Sequence, residues 1–205
     1  MNYNNIKFIL WDYGGVLTYS PFLNIKDFEK FNNIKQNSII KINSNKPFLN
    51  AWAKLEKNLI SFTEFSSLFK EEAKNIGINH IDPMKLLECL EVSLNKSMVS
   101  LLKKVSKKYT CACLTNNFKK KNFTFNRIKN NFDYIFESSK IGLRKPEKEI
   151  YLYVLKKMRV KPEEILFIDD LGINLKPARE LGFITYKFRN TEDTIDFFKK
   201  NLSKI

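Results

Sequence analysis

Five short apolar runs recur along the chain, and each ends at a polar or turn residue. They lie at residues 7–12 (KFILWD), 109–115 (YTCACLT), 133–138 (DYIFES), 164–170 (EILFIDD) and 183–188 (FITYKF). Nearly continuous apolar runs of this length are typical of strands that are buried on both faces, as in a parallel sheet. We therefore predict a five-stranded sheet built from these runs.

Helical patterns separate the later strands. They carry apolar residues at three- and four-residue spacing and lie at residues 96–108 (KSMVSLLKKVSKK), 147–158 (EKEIYLYVLKKM) and 174–182 (NLKPARELG). The last of them ends at Gly182, a residue that commonly terminates helices. The alternation of strand and helix predicts an α/β domain with a doubly wound parallel sheet.

The connection between the first and second strands is far longer than the few residues usual between neighbouring elements. Helical patterns occupy most of it, at residues 21–31, 50–77 and 82–94. Ser61 and Glu64 have the spacing of a capping box at the start of a helix. We predict an α-helical cap subdomain at residues 18–95, able to cover the edge of the sheet, and a core domain formed by residues 1–17 and 96–205.

Composition excludes several classes of protein. With 43% hydrophobic residues and a mean hydropathy of −0.34, the chain of 205 residues is typical of a globular protein. It has neither the roughly 18-residue apolar segment of a membrane span nor a signal-peptide pattern, so we expect a cytoplasmic protein without a membrane partner. The single histidine, His80, excludes multi-histidine metal sites and leaves carboxylates as the expected catalytic groups.

The net charge of +14 could indicate a polyanion-binding protein, since basic patches recruit nucleic acids. Here the lysines are scattered along the whole chain, which indicates a compositional bias rather than a patch. The densest group is FKKKNF at residues 118–123. We predict no nucleic-acid partner and leave the oligomeric state open.

Polar residues follow the carboxyl ends of the predicted strands, where ligands of open parallel sheets bind. They comprise an acid, a hydroxyl with an amide, a cation and two adjacent acids: Asp12, Thr115, Asn116, Lys145, Asp169 and Asp170. Magnesium prefers oxygen ligands, and hydroxyl and ammonium groups can neutralise phosphoryl oxygens. A carboxylate beside the metal can also attack phosphorus. The set therefore suits a phosphate group bound with Mg²⁺.

The order and local words of these motifs resemble those of the haloacid dehalogenase-like (HAD) hydrolase superfamily. The segments that carry the resemblance cover nearly the whole chain and are WDYGGVL, CLTNN, GLRKPEKEIY and FIDDLGINLKPARELGF. The similarity is to the branch with a helical cap inserted after the first strand and a DxGGV first motif, which includes proteins similar to sugar-phosphate phosphatases. It implies a Rossmann-like core and a phosphorylated small-molecule substrate.

The resemblance also implies catalytic and substrate-binding roles. Asp12 would be the nucleophile, and Thr115 and Lys145 would assist catalysis. Thr115, Asn116 and Lys145 would bind the phosphate group. We also expect Tyr19, which follows the first motif closely, to contact the substrate.

The metal site is implied in the same way. Asp12, the backbone carbonyl of Gly14 and Asp170 would bind Mg²⁺, with Asp169 assisting directly or through water. Two adjacent acids at the end of an apolar strand repel each other unless they share a cation, which agrees with this assignment. Asn174, in the segment after these acids, would support them.

Gly14 departs from the pattern of most phosphatases in the superfamily, which have there an Asp that protonates the leaving group and later activates water. Such an acid/base typically contributes roughly 10²–10⁴-fold to the rate. Three interpretations follow: a Mg²⁺-dependent phosphomonoesterase via an aspartyl-phosphate on Asp12, a protein that binds phosphorylated ligands without turnover, and a dehalogenase. The pair of Asp169 and Asp170 disfavours the dehalogenase, because that reaction requires no metal.

Overall fold

The computed structural model describes residues 3–119 and 123–202, which form strands alternating with helices. The strands are β1 (Phe8–Trp11), β2 (Thr110–Thr115), β3 (Tyr134–Glu137), β4 (Ile165–Asp169) and β5 (Ile184–Lys187). The helices are α1 (Phe22–Phe31), α2 (Ser38–Ser44), α3 (Ala51–Glu56), α4 (Phe62–Lys74), α5 (Pro83–Glu88), α6 (Lys96–Val105), α7 (Phe123–Asn126), α8 (Ser138–Ile141), α9 (Lys148–Met158), α10 (Gly172–Glu180) and α11 (Thr191–Asn201). Each predicted strand is therefore present.

The five strands form one sheet in the order β3-β2-β1-β4-β5. All neighbouring strands run parallel, so their carboxyl ends lie at the same edge. Strand β1 is central, and the chain moves outwards from it first through β2 and β3 and then through β4 and β5. The predicted doubly wound parallel fold is confirmed, and β1 marks the point at which ligands bind in such sheets.

Each face of the sheet is buried by helices. Trp11 of β1 points to one face, where it stacks on Phe198 of α11 with ring centroids 5.4 Å apart. Leu10 points to the opposite face and belongs to the apolar cluster of α9 and α10. Burial on both faces explains why the inner strands β1, β2 and β4 are nearly continuous apolar runs, whereas the edge strands β3 and β5 are partly exposed.

Helices α1–α5 form a helical insert between β1 and α6 with an apolar core of its own. Its buried residues include Ile25, Phe28, Leu55, Phe65, Phe69 and Leu86. The chain enters and leaves the insert at an antiparallel bridge between Thr18 and Leu94. This bridge lies next to the predicted boundaries of the subdomain at residues 18–95, and the division into domains stays a prediction.

Helix α11 is absent from the predicted elements, although its sequence carries the usual signals. Asn190 caps it by accepting a hydrogen bond from the Asp193 backbone N–H at 2.8 Å. Acidic residues lie in its first turn and lysines in its last, which favours the helix dipole. Its Phe198 packs in the same apolar core as Trp11, so α11 helps to bury one face of the sheet.

Two predictions concern partners: the absence of a membrane partner and the absence of a nucleic-acid partner. Within the described residues, no helix has both the length and the apolar character needed to cross a membrane. Of the lysine-rich segment at 118–123, residues 120–122 lie outside the described ranges. The absence of a nucleic-acid partner stays a prediction.

Replacing Ser61 with alanine is expected to lower the free energy of unfolding by about 1 kcal/mol, because it removes the N-cap of α4. The capping box is present as predicted: the Ser61 hydroxyl accepts from the Glu64 backbone N–H at 3.2 Å, and the Glu64 carboxylate accepts from the Ser61 backbone N–H at 2.7 Å. Ser67→Ala is the control, since Ser67 is exposed in the same helix. Equal denaturation midpoints for the two variants would contradict the capping role.

Candidate active site

Asp12 lies directly after the central strand at the edge where ligands bind. Its backbone N–H donates to the carbonyl of Ile168 in β4 at 2.9 Å, which extends the pairing of β1 by one residue. The residue is only 7% exposed. The sequence places a carboxylate here because the apolar run ends at this residue, and the parallel neighbours bring the other strand ends beside it.

Lys145 is buried between two carboxylates. Its Nζ lies 2.7 Å from Asp12 Oδ1 and 2.8 Å from Asp169 Oδ2, and the residue is 1% exposed. Burial lowers the pKa of Lys145, but the carboxylates of Asp12 and Asp169 more than offset this effect and hold the pKa above its usual range. The ammonium group therefore stays charged beside the expected nucleophile.

Three carboxylates form a cluster at the site, and two of them, those of Asp12 and Asp169, contact the Lys145 ammonium group. One oxygen from each of Asp12, Asp169 and Asp170 lies within 4.8 Å of the others. Burial raises the pKa of Asp12 well above its ordinary value despite the opposing effect of Lys145. Burial and the neighbouring Asp169 carboxylate raise the pKa of Asp170 to about 6. The cluster is short of positive charge and offers only oxygen donors, so its chemistry fits Mg²⁺.

Asp169 is the most firmly held of the three acids. Its Oδ1 accepts from the Leu171 backbone N–H at 2.8 Å, and the Asn174 side-chain amide donates to both of its oxygens at 3.0 and 3.1 Å. The Tyr151 hydroxyl in turn donates to the carbonyl of Asn174 at 2.7 Å. With Lys145 bonded as well, Asp169 is suited to fixing the lysine, and its contact with a metal stays a prediction.

The two glycines after Asp12 serve different purposes. Gly15 has a φ of +77°, and a Cβ at this position would lie 2.4 Å from Asp170 Oδ2. The close approach of this backbone to Asp170 therefore requires glycine. Gly14 is exposed, and a Cβ there would meet no described heavy atom within 4 Å. A side chain at position 14 is thus permitted sterically, whereas one at position 15 is not.

The predicted phosphate-binding residues at the end of β2 differ in the hydrogen bonds that they make. Thr115 is buried at the end of β2, where its hydroxyl makes a long hydrogen bond of 3.4 Å to the carbonyl of Asn116. The Asn116 side chain pairs with the main chain of Lys145, donating to its carbonyl and accepting from its N–H at 2.9 Å each. Tyr19 is 58% exposed on the loop after β1. Substrate contact by these three residues stays a prediction.

Two charged residues next to the site, one buried and one half-buried, were not among the predicted site residues. Glu56 at the end of α3 accepts from Arg144 Nε at 2.6 Å and from Asn116 Nδ2 at 3.0 Å. Arg144 precedes Lys145 in the chain. The two partners are 88 positions apart, and no local spacing in the sequence signals that they meet.

His80 lies in a different part of the molecule. It lines an open cleft of about 730 Å³ on the helical insert, together with Lys70 and Lys74. None of the predicted site residues lines this cleft. His80 is therefore separate from the carboxylate cluster, and the catalytic role of carboxylates stays a prediction.

Comparison with known proteins agrees with this geometry. The family model for haloacid dehalogenase-like hydrolases matches residues 6–182. The chain is 34% identical over 116 residues to bifunctional epoxide hydrolase 2 of Rattus norvegicus, covering 53% of this chain and 21% of that protein. It is 40% identical over 68 residues to glyceraldehyde 3-phosphate phosphatase of Methanocaldococcus jannaschii, 30% of each protein. The chain spans less than a third of the length of either relative.

Solved structures match over most of the chain. A HAD-like family hydrolase from Porphyromonas gingivalis aligns with a TM-score of 0.69 at 25% identity, covering 96% of this chain and 98% of that one. A HAD family enzyme from Bacteroides thetaiotaomicron, in complex with magnesium and inorganic phosphate, aligns with a TM-score of 0.63 at 25% identity, covering 90% and 94%. The predicted fold class is that of these structures.

Gly15→Ala is expected to weaken Mg²⁺ binding by roughly 10- to 100-fold, because the added methyl group would displace the Asp170 carboxylate. Gly77→Ala is the matched control: Gly77 also has a positive φ, +87°, but a Cβ there meets nothing within 4 Å. The control carries the same backbone strain, about 1–2 kcal/mol, without the clash. Calorimetric titration with Mg²⁺ measures both variants, and equal affinities would contradict the assignment of Asp170.

Proposed function

The chain belongs to the haloacid dehalogenase-like hydrolase family, and we propose that it is a Mg²⁺-dependent phosphomonoesterase acting on a small metabolite such as a sugar phosphate. The observation that carries this proposal is the buried contact of Asp12 with Lys145 beside Asp169 and Asp170. The names of two relatives, phosphatases of glyceraldehyde 3-phosphate and D-ribitol-5-phosphate, support the substrate class.

In the first step a carboxylate oxygen of Asp12 attacks phosphorus. The bond from phosphorus to the ester oxygen breaks, that oxygen leaves with the electron pair and takes a proton from solvent water, and an aspartyl-phosphate forms on Asp12. Lys145 holds the attacking carboxylate at 2.7 Å and neutralises charge on the phosphoryl oxygens, to which the Thr115 hydroxyl also donates. Mg²⁺ bound by Asp12, the Gly14 carbonyl and Asp170 would supply further neutralisation of these oxygens.

In the second step water attacks phosphorus of the aspartyl-phosphate. The bond between phosphorus and the Asp12 oxygen breaks, which releases inorganic phosphate and restores the carboxylate, and the proton of the water passes to solvent. Lys145 contacts Asp12 in the resting state and can stabilise the returning carboxylate. Asp169 keeps the lysine in place through both steps.

The helical insert acts in this proposal as a cap. Its Lys57 forms an ion pair of 2.7 Å with Glu147, and its Glu56 pairs with Arg144, so the insert is fastened to the loop that carries Lys145. A cap at this place limits access of water to the reacting groups. The exposed Tyr19, on the loop that leads into the insert, is proposed to contact the substrate.

A second candidate function is binding of phosphorylated ligands without turnover. It is favoured by Gly14, which leaves the site without a side chain at the exposed position next to Asp12. Both functions require the cluster of Asp12, Lys145 and Asp170, and they differ only in whether phosphate is released. Dehalogenation is disfavoured by the group of three acids, which calls for a cation.

Asp12→Asn is expected to lower phosphate release by at least about 10³-fold, because it removes the nucleophile. The measurement uses a panel of sugar phosphates, nucleotides and acyl phosphates with and without Mg²⁺. Asp196→Asn is the control, since Asp196 is exposed on α11. Undiminished release in the Asp12 variant would refute the mechanism. No release by the unaltered protein, with calorimetric binding of phosphate and Mg²⁺, would favour the binding function.

Gly14→Asp is expected to raise turnover of alkyl phosphates by roughly 10²-fold, because it adds a proton donor beside the leaving group. The space is open at this position, and the φ of Gly14 lies outside the left-handed region. For p-nitrophenyl phosphate the gain should be smaller, since its leaving group is stable without a proton. Gly14→Asn, which has the same shape without the acid, is the control, and an equal gain from it would contradict the explanation.

A further inference from the structure

A buried carboxylate of the helical insert reaches the functional site. Glu56 accepts three side-chain hydrogen bonds: from Trp52 Nε1 at 3.1 Å, Arg144 Nε at 2.6 Å and Asn116 Nδ2 at 3.0 Å. Both of its oxygens are therefore bonded, as a buried carboxylate requires. Two of the three donors belong to the core and not to the insert.

Asn116 passes this contact on to the main chain of Lys145. One amide N–H of Asn116 donates to Glu56 and the other to the Lys145 carbonyl, while its oxygen accepts from the Lys145 backbone N–H. Because a carboxylate only accepts hydrogen bonds, Glu56 fixes which way the Asn116 amide is turned. In the observed orientation, the amide pairs with both main-chain groups of Lys145.

The Lys145 side chain carries the effect to the reacting group. Its ammonium group is bonded to Asp12 and Asp169, so a shift of its main chain moves the contact with the nucleophile. A misplacement of about 1 Å in such a site can reduce the rate by roughly 10²-fold. The path therefore runs from Glu56 through Asn116 and Lys145 to Asp12.

A neighbouring ion pair allows a positioning role of Glu56 to be distinguished from simple attachment of the insert to the core. Lys57 follows Glu56 directly and pairs with Glu147, and both side chains are largely buried. This pair joins the same turn of the insert to the same loop of the core. It makes no described contact with Asn116, so it can hold the insert without setting the orientation of that amide.

We propose that Glu56 is a positioning residue that sets the placement of Lys145 through the Asn116 amide. The effect on turnover rests on the proposed phosphatase function, whereas the effect on the Lys145 loop does not. The insert then does more than cover the site: its docked position is a condition for the correct geometry of the lysine.

Two measurements on Glu56→Ala, Glu56→Gln and the control Lys57→Ala test this proposal. With p-nitrophenyl phosphate, Glu56→Ala is expected to lower kcat by roughly 10- to 100-fold with a smaller change in KM. Glu56→Gln keeps an acceptor oxygen and should recover part of the loss. Lys57→Ala should change kcat by less than about threefold, since it shares no partner with Asn116.

The double variant Glu56→Ala/Asn116→Ala distinguishes this path from a general loss of structure. If Glu56 acts through Asn116, the double variant should be no slower than Asn116→Ala alone. Multiplying losses would overturn the proposal, as would a kcat of Glu56→Ala within about threefold of the unaltered protein. Should Glu56→Ala fail to fold, Glu56→Gln takes its place in the cycle.

Hydrogen exchange of residues 142–148 is the second measurement and requires no turnover. The Lys145 amide is bonded to Asn116, so its exchange should be faster in Glu56→Ala than in Lys57→Ala. Equal exchange in both variants would overturn the coupling. If the unaltered protein released no phosphate from any substrate, the proposed function would fail, and the exchange comparison would still decide the role of Glu56.

Discussion

The ion pairs of the buried Lys145 ammonium with Asp12 and Asp169 are the interaction on which the site depends. A buried cation is tolerated only when its charge is offset and its protons are bonded. The parallel sheet meets this condition, because β1 and β4 are neighbours and end at the same edge. Their terminal acids therefore lie close enough for one lysine to contact both. With another strand order the two acids would not both reach the ammonium group, and the cost of burying its charge would not be offset.

Successive layers of hydrogen bonds support this contact. Asn116 fixes the main chain of the lysine, Asn174 fixes Asp169, and Tyr151 fixes Asn174. Each of these polar groups is hydrogen-bonded, as polar groups inside a protein usually are. Such networks are rigid because removing one member leaves the next unpaired. The geometry around Asp12 is in this way set by residues that do not touch it.

The charge of the cluster determines what can bind. Burial is the main cause of the raised pKa values of Asp12 and Asp170, and the neighbouring carboxylates add to it. A phosphate group would add more negative charge to the same place. A divalent cation would offset this charge, so its binding would favour binding of the anion. Oxygen donors at this spacing suit a hard cation such as Mg²⁺.

Local sequence patterns predicted much of the fold. Side-chain contacts between residues distant in sequence could not be predicted from such patterns. The strands were recognisable as short apolar runs, most clearly the inner strands β1, β2 and β4, which are buried on both faces. The capping box of Ser61 and Glu64 lies within one turn. The burial of Lys145 has no local signal, since a lysine before proline is usually exposed, and its assignment to the site rested on the family resemblance. The contact of Glu56 with Arg144 depends on packing between residues 88 positions apart, which a single sequence does not encode as a pattern.

The residues contacted by the helical insert and the exposed Gly14 differ in what they can contribute to the site. The insert is fastened at Glu56 and Lys57 to the loop of Lys145, the side that holds the phosphate group in the proposed mechanism. Gly14, by contrast, is exposed while Asp12 and Lys145 are buried. In the proposed phosphatase reaction, the missing side chain at position 14 would leave room for the leaving group but offer it no proton. Substrates whose leaving group is stable without a proton would then react faster, so selectivity would depend on the leaving group.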